Sequence, residues 1–151
     1  MAKTKSSYEG FSADERAAMK EYAAELKNAA ARTKGSAAKK AAADLQDALD
    51  KIDEMSGTDR AVADTLHAIV TTHAPHLAAR TWYGMPAYAK DGKVVVFFKP
   101  AAKFKVRYAE VGFNEFAQLD DGDMWPTAFA VTAMNDAIKK KLTALVKKAA
   151  R

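Results

Sequence analysis

The first half of the chain repeats apolar residues at helical spacing. Ser12 with Glu15 fits a capping box, so we predict a helix from there to about residue 31. Its apolar stripe is thin and rich in Ala, which predicts loose packing. After a break at residues 33–36, two further stripes predict two helices, the second ending near Ala74 before a proline. These stripes consist of Leu45, Leu49, Ile52 and Met55, and of Val62, Leu66, Ile69 and Val70.

The period of the pattern changes after residue 80. Residues 94–98 form a β-branched and aromatic run, which is typical of a central strand. Asp91-Gly92 is a turn signal, so residues 80–89 are predicted to pair with that run as a hairpin. Alternation predicts two more strands, and apolar spacing predicts a last helix over about residues 132–149. The alternating sets are Phe104, Val106 and Tyr108, and Trp125, Thr127, Phe129 and Val131.

The order of elements predicts an α+β fold. Helices come first, strands follow and a helix ends the chain, which favours an antiparallel sheet of about four to five strands within residues 80–131 and helices packed on one face. Pro126 cannot donate to a strand ladder, so the last strand should begin near it or lie at an edge. We predict a helical extension over residues 1–57, with about the first ten residues disordered, and an α+β domain over residues 58–151.

Composition limits the chemistry that the chain can perform. It contains no Cys, which excludes disulfides, thiolate metal ligands and thiol nucleophiles. All of its Ser residues precede the strand region, and no Gly-x-Gly fingerprint for a dinucleotide or phosphate is present. The three His residues are His67, His73 and His76. His73 and His76 are three residues apart and could bind a metal, but Pro75 between them breaks the helix, so the alternative is that they are exposed helix-end residues. An enzyme is therefore the least favoured class.

The net charge of +5 is unevenly distributed. Both ends of the chain are basic, and residues 41–75 are acidic. Lys-rich ends attract nucleic acid, which gives an alternative function as a nucleic-acid-associated basic protein; the simpler interpretation is solvated helices. No apolar run approaches the length of a membrane span, and no secretory pattern is present, so we expect a cytoplasmic protein without membrane contact.

Two motifs carry a resemblance to a known family. Residues 81–88 read Thr-Trp-Tyr-Gly-Met-Pro-Ala-Tyr and are followed by Gly92-Lys93-Val94; residues 124–129 read Met-Trp-Pro-Thr-Ala-Phe. Over about residues 60–149 the chain resembles the YdhG-like family, a bacterial family of unknown function. The resemblance implies a compact α+β fold related to the frataxin-like group. Some members are labelled iron chaperones, so the resemblance also implies iron as a ligand, but it implies no catalytic residues.

The aromatic residues of the motif region are the candidate ligand site. Small-molecule sites are mostly apolar concavities with a few polar groups, which suits aromatic residues with a basic rim. Ordinary core packing is the alternative for the same residues. The candidate ligand-binding residues are Trp82, Tyr83, Met85, Tyr88 and Trp125, with Lys99, Lys105 and Arg107 at the rim.

Two acidic clusters are weaker candidates for a metal site. Asp47, Asp50 and Glu54 lie on one predicted helix face, where Lys51 already offsets their charge. Oxygen clusters suit hard cations, but Asp-Gly turn formation explains the second cluster equally well. It consists of Asp120, Asp121 and Asp123. With a basic chain and no Cys, we expect weak iron binding at best.

The sequence thus predicts a non-enzymatic binding protein. Its partner is a small ligand, a metal ion or another protein; no cofactor is expected, apart from the iron that the family label implies. We expect a monomer or a weak homo-oligomer.

Overall fold

The computed structural model describes residues 10–151, which contain five helices and five strands. The expected N-terminal disorder falls almost entirely on residues 1–9, which lie outside the described residues. The helices are α1 (Ala13–Arg32), α2 (Ala37–Asp53), α3 (Gly57–His73), α4 (Ala101–Phe104) and α5 (Asp136–Ala149). The strands are β1 (Ala78–Trp82), β2 (Met85–Lys90), β3 (Lys93–Lys99), β4 (Ala109–Phe113) and β5 (Ala128–Val131).

Side-chain caps fix the start of three helices. The Ser12 hydroxyl accepts from the Glu15 N–H, as the capping box predicts, and Ser36 caps α2 in the same way. The Asn135 side chain caps α5 by accepting from the Ile138 N–H at 3.0 Å. This cap places the start of α5 at Asp136 rather than at the predicted residue 132.

The five strands form one antiparallel sheet in sequence order, β1-β2-β3-β4-β5. The pairing of β2 with β3 shifts register: Tyr88 lies opposite Val96, whereas Ala89 lies opposite Val94. Val95 is thus the extra residue of a β-bulge. The bulge turns both Val95 and Val96 into the same core, which explains why this strand does not alternate.

The two faces of the sheet differ, and this confirms the predicted α+β fold. One face carries Tyr88, Phe98 and Val111, which share a single buried cluster with residues of α2, α3 and α5. The opposite face has a small cluster of Ala87, Ala89 and Val94, against which the partly buried side chains of Trp82 and Phe97 pack. The helices that enclose the main core therefore lie on one face.

The main core also includes part of the predicted N-terminal extension. Ile52 of α2 belongs to the buried cluster, and Ala48 beside it is fully buried. By contrast, α1 buries only Ala18. Among residues 10–57, α2 is thus integral to the core, whereas α1 lies outside it.

The prediction of a strand through Phe104, Val106 and Tyr108 was wrong. Residues 101–104 form α4, which ends at Lys105 in a left-handed conformation with φ 52°, and β4 begins only at Ala109. The cause is a distant cap: both carboxylate oxygens of Asp59 accept from the N–H groups at the start of α4, at 3.0 Å each. Val106 and Tyr108 are left exposed.

Two strand boundaries also differ from the predictions. Residues 80–89 are not one strand, because a turn at Tyr83–Gly84 divides them between β1 and β2; only β2 pairs with β3. The last strand is at the sheet edge, as expected for a Pro-containing segment, but it begins at Ala128. Trp125 therefore lies in the loop before it.

Candidate functional site

The turn between β1 and β2 is a two-residue hairpin turn with an unusual first residue. Tyr83 and Gly84 both have positive φ, at 52° and 73°. This conformation matches the twist of a hairpin, but Asn or Gly normally takes the first position because a larger side chain is strained there. Strained residues of this kind cluster at functional sites, so we call Tyr83–Gly84 the Tyr83 turn and take it as the centre of the candidate site.

A carboxylate from α1 binds to the backbone of the Tyr83 turn. The Tyr83 N–H donates to Glu25 Oε2 at 3.0 Å, and the Gly84 N–H donates to Glu25 Oε1 at 2.8 Å. Adjacent N–H groups that point the same way form an anion-binding concavity. The turn therefore offers a two-point receptor for a carboxylate, and Glu25 occupies it.

A second α1 carboxylate binds beside the first one. Lys103 Nζ lies 2.7 Å from Glu21 Oε2 and donates to the Gly84 carbonyl at 3.0 Å, and Lys51 Nζ lies 3.8 Å from Glu21 Oε1. A Cβ at Gly84 would collide with the Glu21 carboxylate and the Lys103 ammonium. Gly84 thus permits both the turn and the close approach of this ion pair. We call the two turn N–H groups, Lys103 and Lys51 together the carboxylate site.

Aromatic rings line one side of the Tyr83 turn. Tyr22 of α1 stacks on Tyr83 with ring centroids 4.1 Å apart and planes 8° apart. Trp82 meets Tyr83 edge-on at 5.0 Å and lies 5.1 Å from Phe97. A ligand that replaced Tyr22 would find a flat aromatic surface next to the anion-binding groups.

A cavity of about 380 Å³ opens next to the turn. Gly84, Lys103 and Lys51 contribute to its wall, together with Glu21 and the 8% exposed Asp59. The Asp59 carboxylate is engaged at the start of α4. Glu21 contacts both lysines of this wall, and Glu54 Oε1 lies 3.6 Å from Lys51 Nζ.

The eight predicted ligand-binding residues do not share one cavity. Trp82, Tyr83 and Met85 lie at or beside the Tyr83 turn, whereas Tyr88 lies in the main core on the opposite face of the sheet. The three rim residues each have a neighbour: Lys99 lies over Phe104, Arg107 lies over Tyr108, and Lys105 Nζ lies 3.6 Å from Asp14.

Trp125 lies at a separate cavity of about 610 Å³ in the connection between β4 and β5. Asp120 and Asp123 line this cavity together with Met124, which is 89% exposed. It is wide, and its walls belong mostly to the loop. Trp125 itself also packs against the main core.

The acidic residues of the first predicted metal cluster each contact a different side chain. Asp47 accepts from Arg32 at 2.8 Å, Asp50 accepts from Gln46, and Glu54 lies 3.6 Å from Lys51. Within residues 10–151, no cluster of three or more His, Cys, Asp or Glu side chains has an arrangement that could hold a metal ion. This includes the turn residues Asp120, Asp121 and Asp123.

The partly buried His67 and the buried Tyr88 form a polar pair that gives a pH prediction. The Tyr88 hydroxyl lies 3.0 Å from His67 Nδ1, and burial raises the pKa of Tyr88 far above its usual range, so this hydroxyl stays protonated. Burial lowers the pKa of His67, against a smaller opposing effect of Asp64. The unfolded chain therefore binds a proton more readily, and stability should fall as the pH drops below about 6.5.

Urea unfolding at pH 7.5 and at pH 5.0 checks this expectation. His67→Gln should reduce the loss of unfolding free energy between the two pH values relative to the parent. His73→Gln, at an exposed position, serves as the control and should leave the loss unchanged. Equal pH dependence in all three proteins would contradict the assignment.

The residues proposed from the sequence include Trp82 and Tyr83 of this candidate site, but neither Tyr22 nor its charged residues. Glu21, Glu25, Lys51 and Lys103 were absent from the candidate residues, because Glu25 is 58 residues from Tyr83 and Glu21 is 82 residues from Lys103. The one usable signal is that Glu21 and Glu25 are one helical turn apart on α1.

Comparisons with protein-family models, with curated proteins and with solved structures gave no match for the chain. Across residues 10–151, every helix is too short or too polar to cross a membrane.

Proposed function

We propose that this protein is a non-enzymatic binding protein that recognises a small ligand through a carboxylate. The ligand takes the position of Glu25 on the two N–H groups of the Tyr83 turn. The observation that carries the proposal is the bidentate contact of Glu25, whose carboxylate accepts from the two N–H groups of the turn at 3.0 Å and 2.8 Å. These two groups therefore have the geometry to bind a carboxylate.

The charges around the turn favour a ligand with two carboxylates. Glu25 takes the backbone donors, and Glu21, one helical turn away, takes the ammonium groups of Lys103 and Lys51. Charge-assisted hydrogen bonds of this kind are stronger than neutral ones. A flexible dicarboxylate such as adipate can supply both groups, and its methylene chain would lie against the wall of the neighbouring cavity.

In this proposal α1 is an intramolecular competitor. Its two carboxylates must leave before a ligand enters, so the apparent affinity is reduced by the fraction of molecules in which α1 is undocked. The ring of Tyr22 leaves with them and frees the face of Tyr83.

Titration of adipate into the full-length double variant Glu21→Gln/Glu25→Gln tests the proposal. The neutral amides hold the site less strongly, so adipate should bind at least about tenfold more tightly than to the parent. Calorimetry measures the affinity, and the fluorescence of Trp82 beside the turn gives a second readout. Acetate, with one carboxylate, should bind more weakly than adipate.

Two further variants make the result specific. Asp50→Asn/Glu115→Gln changes the net charge equally at exposed positions outside the carboxylate site and should leave adipate affinity at the parent level. Adding Lys103→Met to the Glu21→Gln/Glu25→Gln variant should abolish its gain in adipate affinity. Equal adipate affinity in the parent and in the Glu21→Gln/Glu25→Gln variant would refute the proposal. A gain in affinity that persists when Lys103→Met is added would refute it as well.

A further inference from the structure

The edge of β5 offers unpaired backbone groups. Within residues 10–151, β5 pairs only with β4 and is the last strand of the sheet. The Phe113 N–H donates to the Thr127 carbonyl at 2.7 Å, and Phe129 lies opposite Val111 two residues further on. Because backbone groups in an antiparallel strand alternate in direction, Ala128 and Ala130 point their N–H and C=O groups away from β4.

A groove runs along this edge between β5 and α5. It has a volume of about 560 Å³, and its floor is apolar, formed by the partly buried side chains of Phe129, Ile138 and Leu145. Lys141 and Lys148 also line it. We call this feature the β5 groove. It lies at the opposite edge of the sheet from β1 and is independent of the carboxylate site.

We propose that the β5 groove binds an extended acidic peptide of a partner protein, which adds to the sheet as a sixth strand. The outward groups of Ala128 and Ala130 pair with the peptide backbone, and an apolar side chain of the peptide enters the groove. This is the general mode of strand addition, in which the main chain provides affinity and alternate side chains provide specificity.

Charge selects an acidic occupant over the alternatives. Residues 132–151 contain six Lys or Arg and one acidic residue, and two of the lysines line the groove. A second copy of the chain, paired through its own β5, would bring the same lysines together. Residues 1–9 carry Lys3 and Lys5 against Glu9, so this segment also lacks the required negative charge. Nucleic acid carries the required negative charge, but it would neither fill the apolar floor of the groove nor pair with the open strand edge.

The spacing of the lysines defines the peptide. Lys141 and Lys148 are seven residues apart, about 10.5 Å along a helix axis, and two residues four apart on a strand are separated by about 13 Å. Lys side chains are long enough to bridge the difference. The probe is therefore a fluorescein-labelled peptide, Thr-Glu-Thr-Val-Thr-Glu-Thr, which places Val between two Glu on the same strand face.

Fluorescence anisotropy with the full-length protein measures binding. We expect saturable binding that weakens at least tenfold in Lys141→Glu/Lys148→Glu and is restored when Lys replaces both Glu residues of the peptide. The matched control Lys140→Glu/Lys147→Glu changes the net charge equally at exposed α5 positions outside the groove, and it should weaken binding less than threefold. N-methylation of the peptide amides that face β5 should abolish binding, whereas N-methylation of the alternate amides should preserve it.

Several outcomes would overturn the proposal. Absence of binding refutes it directly, and equal losses in the two double variants would mean nonspecific attraction. Indifference to N-methylation would exclude strand addition. A single-stranded oligonucleotide that displaces the peptide and loses affinity in Lys141→Glu/Lys148→Glu would assign the surface to nucleic acid. Dimerisation that blocks the peptide, seen by analytical ultracentrifugation, would assign it to a second copy.

Discussion

Replacing Phe98 with Ala should lower the free energy of unfolding by about 3–5 kcal/mol, the range for truncation of a large buried aromatic residue. Phe98 is 0% exposed, lies opposite Val111 in the sheet and belongs to the core that α2, α3 and α5 enclose. Its removal leaves a cavity between the sheet and these helices. Urea unfolding followed by circular dichroism measures the loss.

Phe97→Ala is the matched comparison, because it makes the same chemical change one residue away on the other face. The Phe97 ring is partly exposed and covers Gly112, where a Cβ would collide with it. We expect a smaller loss, about 1–2 kcal/mol, since less apolar area leaves water. Equal losses in the two variants would contradict the assignment of the main core to the face that carries Phe98.

The alternating pattern of Phe104, Val106 and Tyr108 shows why the strand prediction failed. A period of two is a local signal, and it assumes that one face of the segment is buried. Here Asp59, more than forty residues earlier, caps α4 instead, and Val106 and Tyr108 remain exposed. Sequence spacing contains no information on that contact, whereas the cap at Ser12 depends on residues three apart and was predicted from the sequence.

The candidate site likewise has a part that the sequence indicates and a part that depends on distant contacts. The motif around Tyr83 and Gly84 predicts a ligand site because aromatic residues and Gly are concentrated there. The turn conformation and the pairing of its N–H groups with Glu25 depend on how α1 lies across the end of the β1–β2 hairpin. A helix with a thin apolar stripe gives no sequence indication of where it will lie, since its few apolar residues specify no particular contact.

The contacts that dock α1 on the rest of the protein are mostly polar. The helix buries only Ala18, and Leu26 is 51% exposed. Its contacts with the rest of the protein include the carboxylates of Glu21 and Glu25, the ring of Tyr22, and Arg32, which lies within 2.8 Å of the carboxylates of Asp44 and Asp47. Partly exposed ion pairs contribute roughly 0–1 kcal/mol each, so the ion pairs of Glu21 and Arg32 add only a modest free energy to the docking of α1.

Deletion of residues 1–34 is therefore expected to leave the fold intact and to open the carboxylate site. The shortened protein retains Ile52 and the rest of the main core, so thermal unfolding should stay cooperative. Adipate should bind about 10- to 100-fold more tightly than to the parent, because the two α1 carboxylates no longer compete with it. Thermal circular dichroism checks the fold, and calorimetric titration measures the affinity.

A synthetic peptide of residues 12–32 supplies the control, since it returns α1 as a separate molecule. It should compete with adipate for the shortened protein, and the same peptide with Gln in place of Glu21 and Glu25 should not. Lys103→Met in the shortened protein should remove adipate binding while leaving the thermal transition cooperative. Loss of the cooperative transition on deletion would show that α1 is part of the core, and a cooperative protein without gained adipate affinity would show that α1 does not occlude a binding site.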